Sequence, residues 1–484
     1  MDNSKWIFSL LLWAYGGAVA GLSLRILMKR RPVGGTLAWL LFVYILPGLG
    51  IIFYLLFGER YLGRLRAKRA LKQFRYYTIW LQKILIKQEA AQLDDKPLLP
   101  IMRLMKHSLG MPILSSHHWS IFDIPEKLFE ALVEDINQAT TTIFMEFYII
   151  EPRGRVESVL IALEQASKRG VHVFLMLDSV GSNHFLRSLR CKKLMEEGVK
   201  TIGVLHANLL RMTLRRQDLR QHRKMIAIDN RIAYTGSMNL ADPEYFKTSS
   251  GLGPWVDIMV RLEGSIAPVI QGTVIFDWEM ETGIRLEKHL IRPEPQQYTA
   301  PEANRMQLLP SGPAMSDELL LQALLTAIHT AENSVTITTP YFVPDEALLQ
   351  ALKTSARRGL EVTVILPYKN DSHLAQYAGR SFYEELLTAG VFIQRYLGGF
   401  LHSKTVVIDD SQVLIGSVNL DMRSIWLNFE ATLVVDDKNF CAAVKKVIEG
   451  YKMNSQRLTL SEWRQRPISQ RILENIIQLA SPLL

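Results

Sequence analysis

Four side-chain types recur in one order at two places in the chain. Residues 222–229 read HRKMIAID, and GSMN begins seven residues after the aspartate. Residues 402–409 read HSKTVVID, with GSVN at the same distance. Each copy supplies an imidazole, an ammonium, a hydroxyl and a carboxamide: His222, Lys224, Ser237 and Asn239, then His402, Lys404, Ser417 and Asn419. On an extended segment His222 and Lys224 point to one face. The DN after MIAI signals a turn, and the chain returns with Ser237 and Asn239 again sharing a face. Joined face to face, the copies place two imidazoles on either side of a pocket with two lysines and two asparagines. Such a cradle suits a group with several charged oxygens, and a phosphodiester fits it. In-line displacement at phosphorus follows. One histidine attacks and forms a phosphohistidine. The other protonates the leaving alcohol and then deprotonates the next acceptor, so the pair should titrate as one system.

Two carboxylates complete this reading. Asp257 in PWVDIMVRLEG and Glu430 in LNFEATLVVDD hold matching places on the strand after each motif. Each is expected to accept the Nδ1–H of its own half's histidine and so fix the tautomer. Asp229 and Asp409 fall at the turns, where bracing the hairpin is the expected job. The alternative to catalysis is two satisfied histidines in a duplicated, inert fold. Both copies keep every chemical type, which argues against it.

The elements that must carry these residues are also duplicated. ALEQASKRGVHVFLMLDSVG (162–181) parallels ALKTSARRGLEVTVILPYKN (351–370), and INQATTTIFMEFYII (136–150) parallels IHTAENSVTITTPYFV (328–343). Each half alternates helices with buried strands, which predicts an α/β fold with a mixed sheet. Two halves in one chain predict a pseudo-dimer about a pseudo-twofold axis. The stretch 286–310, rich in Pro, Glu and Gln, reads as the linker. Glu146, Tyr341 and Phe342 stand at matching strand ends and either line the mouth of the pocket or belong to the core. Two segments lie outside the repeat: the basic stretch 208–221, and a C-terminal helix with Ile468, Ile472, Ile476 and Leu479 on one face. Each reads equally as a membrane-docking helix or a packing helix.

The amino end belongs to a membrane. Residues 6–27 and 37–57 are apolar runs long enough to cross a hydrocarbon core of about 30 Å. The short basic turn between them predicts a two-span hairpin, kinked at Pro47. Arg60, Arg64, Arg66, Lys68, Arg69, Lys72, Arg75, Lys83 and Lys87 follow, interleaved with Phe74, Tyr76, Tyr77 and Trp80. This segment reads as an interfacial helix on anionic headgroups, or as a solvated helix face. The positive-inside rule places it in the cytoplasm, although Lys29, Arg30 and Arg31 would then lie outside. The net charge of +9 suits anionic partners. Cys191 and Cys441 have no metal-ligand spacing and read as small buried hydrophobes.

The doubled motifs HRKMIAID…GSMN and HSKTVVID…GSVNLDMRS resemble the His-Lys-Asp signature of the phospholipase D superfamily. With LRILMKRR, LRQHRKM, TTPYFVP and LDMRSIWLNFE, the whole chain is similar to the bacterial cardiolipin synthases that use phosphatidylglycerol. The resemblance implies two tandem phospholipase D-like α/β/α domains, at 106–290 and 305–484, after a transmembrane hairpin at 1–58 and a juxtamembrane segment at 59–105. It implies that two phosphatidylglycerols give cardiolipin and glycerol, in the inner membrane with the catalytic domains cytoplasmic. It counts His222, Lys224, Asp229, His402, Lys404 and Asp409 as the catalytic set, with His222 as nucleophile and His402 as acid and base. On residue grounds alone the two histidines are interchangeable. The expected partners are phosphatidylglycerol, cardiolipin and the anionic membrane, with no nucleic acid, no cofactor and no metal, since two lysines supply the positive charge. The rivals are a hydrolase or another phosphatidyltransferase of the same superfamily, and a lipid-binding scaffold with a dead site.

Overall fold

The structure is a computed structural model that describes residues 3–29, 33–46, 48–59, 62–90, 98–206, 216, 218–286, 304–313, 315 and 318–479. Most of the expected linker, most of the basic stretch 208–221, and Pro47 lie outside the described residues. The chain divides into a small unit, Met1–Arg64 with Ala207–Asp218, and a large one, Leu65–His206 with Leu219–Leu484.

Two sheets in the large unit repeat one topology. The first has seven strands in the order His118–Phe122, Met259–Glu263, Ile232–Gly236, Met225–Ile228, Thr142–Phe147, His172–Asp178, Lys200–Val204. The second runs Arg305–Ser311, Glu430–Asp436, Gln412–Gly416, Thr405–Ile408, Ser334–Thr338, Glu361–Pro367, Phe392–Tyr396, and adds Ser455–Leu458 at the far edge. In both, the three strands that follow the motif hairpin in this order pair in parallel and the others antiparallel. The expected mixed α/β sheet is therefore present twice. Strands such as Thr142–Phe147 are buried along their whole length, so they read as apolar runs rather than as alternation.

The motif hairpins form as the DN signal predicts. Met225–Ile228 pairs with Ile232–Gly236, and Thr405–Ile408 with Gln412–Gly416. Asp229, Asn230, Asp409 and Asp410 all take positive φ between 48° and 56°. Two successive left-handed residues make a tight turn inside each three-residue connection, a conformation that Asp and Asn tolerate better than branched residues.

Three expectations about the flanking segments change. The apolar run 37–57 is not one kinked span but two helices, Val33–Ile45 and Leu49–Phe57, packed on one another. Gly48 takes φ +76° at the reversal, a conformation open to glycine. The helix Arg64–Ala90 is not a purely interfacial helix. Tyr77 donates or accepts a hydrogen bond with Thr273 at 2.9 Å, Phe74 and Tyr77 pack on Phe276, and Arg66 pairs with Glu281. Its aromatic side therefore faces protein, while Lys68, Lys72 and Lys83 are exposed. The C-terminal helix Ile468–Gln478 turns its carboxylate inward: Glu474 is fully buried between Arg380 at 2.9 Å and Arg466 at 3.3 Å. Ile468, Ile472, Ile476 and Leu479 remain exposed.

Candidate active site

Two short parallel pairings join the halves and decide which residues meet. Trp255–Val256 pairs with Phe400–Leu401, and Gln221 bridges Phe429. The backbone N–H of His402 donates to Val256 O at 2.7 Å, and that of His222 to Phe429 O at 2.9 Å. Each histidine thus lies beside the residue that precedes the other half's carboxylate. His222 Nδ1 is 2.9 Å from Glu430, and His402 Nδ1 is 2.8 Å from Asp257. The expected pairing within each half is therefore corrected: the carboxylates are exchanged across the pseudo-twofold axis.

The rest of the constellation holds this exchange in place. Ser237 Oγ donates to Asp257 at 2.6 Å and accepts from Ile258 N–H at 3.0 Å. Ser417 Oγ donates to Glu430 at 2.5 Å and accepts from Ala431 N–H at 3.0 Å. The serines, expected to face the phosphate, instead orient the carboxylates. Lys224 Nζ donates to His222 O at 2.6 Å, and Lys404 Nζ donates to His402 O. Asn239 Oδ1 accepts from Ile149 N–H at 3.3 Å, whereas Asn419 Oδ1 is buried without a partner among the described residues.

Burial sets the charges. It pushes both imidazoles down to about 4, further than the facing carboxylates push them up. Burial acts upward on Asp257, but His402 and Lys404 outweigh it and hold the carboxyl at about 2. Glu430 is likewise held below its ordinary value: burial is outweighed by His222 and Lys224. At neutral pH each imidazole is therefore neutral and donates Nδ1–H to an ionised carboxylate, which leaves Nε2 with its lone pair. Burial also lowers Lys224 to about 8 and Lys404 to about 7. The cradle is charged below that range and discharges above it. Affinity for tungstate, a phosphate mimic, is expected to fall by about tenfold per pH unit between the two lysine values and by about a hundredfold per unit above both, since binding takes up one proton for each discharged lysine. Calorimetric titration between pH 6 and 10, at about constant ionic strength, measures this.

Asp229 and Asp409 are not in the pocket. Asp229 accepts from the N–H groups of Thr140, Thr141 and Thr142 at 2.7 to 2.9 Å. Asp409 accepts from Glu332, Asn333 and Ser334 at 2.7 to 2.8 Å. Each carboxylate ties the hairpin turn to the start of the neighbouring strand, so their place in a catalytic set is corrected to bracing. Asp229→Ala orphans three N–H groups and should cost about 1–3 kcal/mol of stability. Chemical denaturation of the purified variant measures it.

Two family models match the chain, one of them in both halves. The family described as "Cardiolipin synthase, PLD-like domain" matches residues 132–248 and 324–451, and that described as "Phospholipase_D-nuclease N-terminal" matches 18–59. Cardiolipin synthase A of Edwardsiella ictaluri is 44% identical over 480 residues, 98% of each chain. The chain belongs to the cardiolipin synthase family. Cardiolipin synthase A of Klebsiella pneumoniae is 44% identical over 485 residues, covering 99% of this chain and 98% of that one. Phosphatidylserine synthase of Haemophilus influenzae shares the fold, with TM-score 0.60, 15% identity, and coverage of 79% of this chain and all of that one. Membrane association accords with this family and with the long apolar helix Trp6–Met28.

Several residues of this family member's site escaped the sequence reading. Tyr148 lies 5.1 Å from the His222 ring, and Lys224 Nζ sits 5.6 Å from its centroid. Trp255 and Phe400 lie 4.6 Å and 5.8 Å from the His402 ring. Trp255 precedes Asp257 by two residues and Phe400 precedes His402 by two, so period-two spacing was a usable signal. Arg223 is fully buried and crosses between halves, with Nε on Glu430 O at 2.9 Å, NH2 on Ser311 O at 3.0 Å, and an ion pair to Asp277. Its counterpart is Ser403, so nothing in the repeat marked it. Of the three candidate mouth residues, Glu146 and Phe342 are buried. Burial and the nearby Asp277 hold the Glu146 carboxyl well above its ordinary range. Tyr341 stands 6.3 Å from the Phe400 ring and donates to Asp371 at 2.6 Å.

Proposed function

We propose that the protein makes cardiolipin and glycerol from two phosphatidylglycerol molecules, through a phosphohistidine on His222. The observation that carries this reading is the crossed pair of buried histidine–carboxylate contacts, which leaves two Nε2 atoms for one phosphorus. With two neutral imidazoles, two carboxylates and two lysines, the free pocket is close to electroneutral. A bound phosphodiester adds one negative charge and favours uptake of a proton by His402. His222 Nε2 then attacks phosphorus, and the P–O bond to glycerol breaks. The proton passes from His402 Nε2 to the departing glycerol oxygen. The second phosphatidylglycerol enters, and its terminal hydroxyl gives its proton back to His402. That oxygen displaces His222 from phosphorus, forming the second phosphodiester of cardiolipin. Lys224 and Lys404 match the charge on the non-bridging oxygens throughout.

The exchange of one phosphodiester for another is close to balanced, so water is the competitor. Tyr148, Trp255 and Phe400 surround the imidazoles with rings, which disfavours hydrolysis of the intermediate. The catalytic halves face the cytoplasm at the bacterial inner membrane, on the side of the basic segment 60–87.

The test is product analysis with purified protein, labelled phosphatidylglycerol and a metal chelator. Cardiolipin with equimolar glycerol is expected, at a rate the chelator does not change. Phosphatidic acid as the sole product would make the protein a hydrolase of the same fold.

A further inference from the structure

The two helices that replace the expected second span meet side by side. Trp39 and Tyr54 rings lie 5.2 Å apart, and Phe42 and Phe53 rings 5.7 Å apart. A Cβ on Gly50 would lie 2.5 Å from Phe42 O and 2.7 Å from Val43 Cα, so glycine alone permits this approach. In one continuous helix Trp39 and Tyr54 would stand about 22 Å apart. The chain therefore reverses between Ile45 and Leu49.

This hairpin is short. Val33–Ile45 has 13 residues and Leu49–Phe57 has nine, or about 20 Å and about 14 Å of helix. Neither crosses a hydrocarbon core of about 30 Å. The first helix, Asn3–Met28, has 26 residues and does, at about 39 Å. Val19, Leu22 and Ile26 of that helix pack with Val43 and Tyr54, and Tyr15, Trp39, Leu40 and Ile51 lie against them. The hairpin thus covers the C-terminal half of the first helix and ends about level with Tyr15. Trp6, Phe8, Leu10 and Trp13 beyond it are exposed. Glu59, just past the hairpin, accepts from Arg25 Nε at 2.6 Å and NH2 at 2.9 Å. The chain leaves the hairpin on the side where the first helix ends.

We infer that the anchor is one transmembrane helix plus a re-entrant hairpin dipping into the cytoplasmic leaflet, so that the amino terminus and the catalytic halves lie on opposite sides of the membrane. This arrangement removes a conflict in the charges. Two full spans would put Lys29, Arg30 and Arg31 outside. With a re-entrant hairpin these three join Arg60, Arg64, Arg66, Lys68, Arg69, Lys72 and Arg75 on one face, and Lys5, at the start of the first helix, is the one basic residue toward its other end. The charge asymmetry then follows the positive-inside rule, with Lys5 alone on the outer side. Gly48, at φ +76°, makes the reversal, and Gly50 with the aromatic pairs holds the two helices against one another on either side of it.

The inference rests on the membrane reading and not on the chemistry. Single-cysteine variants Asn3→Cys, Arg31→Cys and Leu46→Cys of the full chain would be treated with a membrane-impermeant maleimide in intact spheroplasts, after lysis and in detergent. Cys191 and Cys441 are buried and form no background. Asn3→Cys should react in intact spheroplasts, Arg31→Cys only after lysis, and Leu46→Cys only in detergent. Reaction of Arg31→Cys from outside would overturn the inference, as would protection of Asn3→Cys until lysis. Protease treatment of spheroplasts carrying the unsubstituted chain with an amino-terminal epitope gives a second readout: loss of the epitope is expected, and its retention overturns the inference. Cardiolipin formation, assayed separately in extracts, distinguishes a failure of topology from a failure of the proposed activity.

Discussion

His222→Ala should lose cardiolipin synthesis by at least about 10⁴-fold, and His402→Ala by a similar factor, yet the two should fail at different steps. A phosphatidyl ester of p-nitrophenol separates them, because its leaving group departs without a proton. With this substrate His402→Ala should release one equivalent of nitrophenolate in a burst and then stall, carrying labelled phosphatidyl on His222. His222→Ala should give neither burst nor label. The reverse pattern would exchange the roles of the two histidines. Steady nitrophenolate release by both variants would dispose of the covalent intermediate.

The second large effect concerns the carboxylates, and its direction depends on the crossing. Glu430→Gln replaces the ionised acceptor of His222 Nδ1–H with a neutral amide that can present its NH2 to the ring instead. The imidazole then loses its fixed tautomer, and the nitrophenolate burst should slow by about 10²- to 10⁴-fold. Asp257→Asn makes the same exchange at His402. The burst should then survive near its normal rate while steady turnover falls by a comparable factor. Pairing within each half would give the opposite assignment, with Asp257→Asn suppressing the burst. Rapid-quench kinetics on both variants decide between the two. Since Ser237 and Ser417 hold the same carboxylates, their alanine variants should show weaker forms of the same two defects.

Much of this protein is legible in its sequence because the information is local or repeated. The alternation of helices with buried strands, the tight turns at Asp229–Asn230 and Asp409–Asp410, and the gathering of imidazole and ammonium side chains all depend on neighbours a few residues apart. Duplication strengthened each of these signals, and the apolar first helix announced itself by length. The sequence by itself thus determined the fold class, the doubled motif and the chemistry its residue types allow.

What only the tertiary structure decided are the contacts that cross the repeat or fold an apolar run back on itself. Asp257 lies 35 residues from His222 in the chain, but the parallel pairing of Trp255–Val256 with Phe400–Leu401 hands it to His402. A pseudo-twofold axis offers each carboxylate two equivalent imidazoles, and spacing along one half cannot choose between them. Arg223 follows the same rule in part: it pairs with Asp277 of its own half, but the Glu430 and Ser311 carbonyls it also holds belong to the other half. The serines read as phosphate ligands because they share a face with the lysines, and the carboxylates claimed them first. In the anchor, hydropathy records that residues 37–57 are apolar and is blind to direction. The reversal at Gly48 and the close approach at Gly50 turn the same composition from a span into a hairpin.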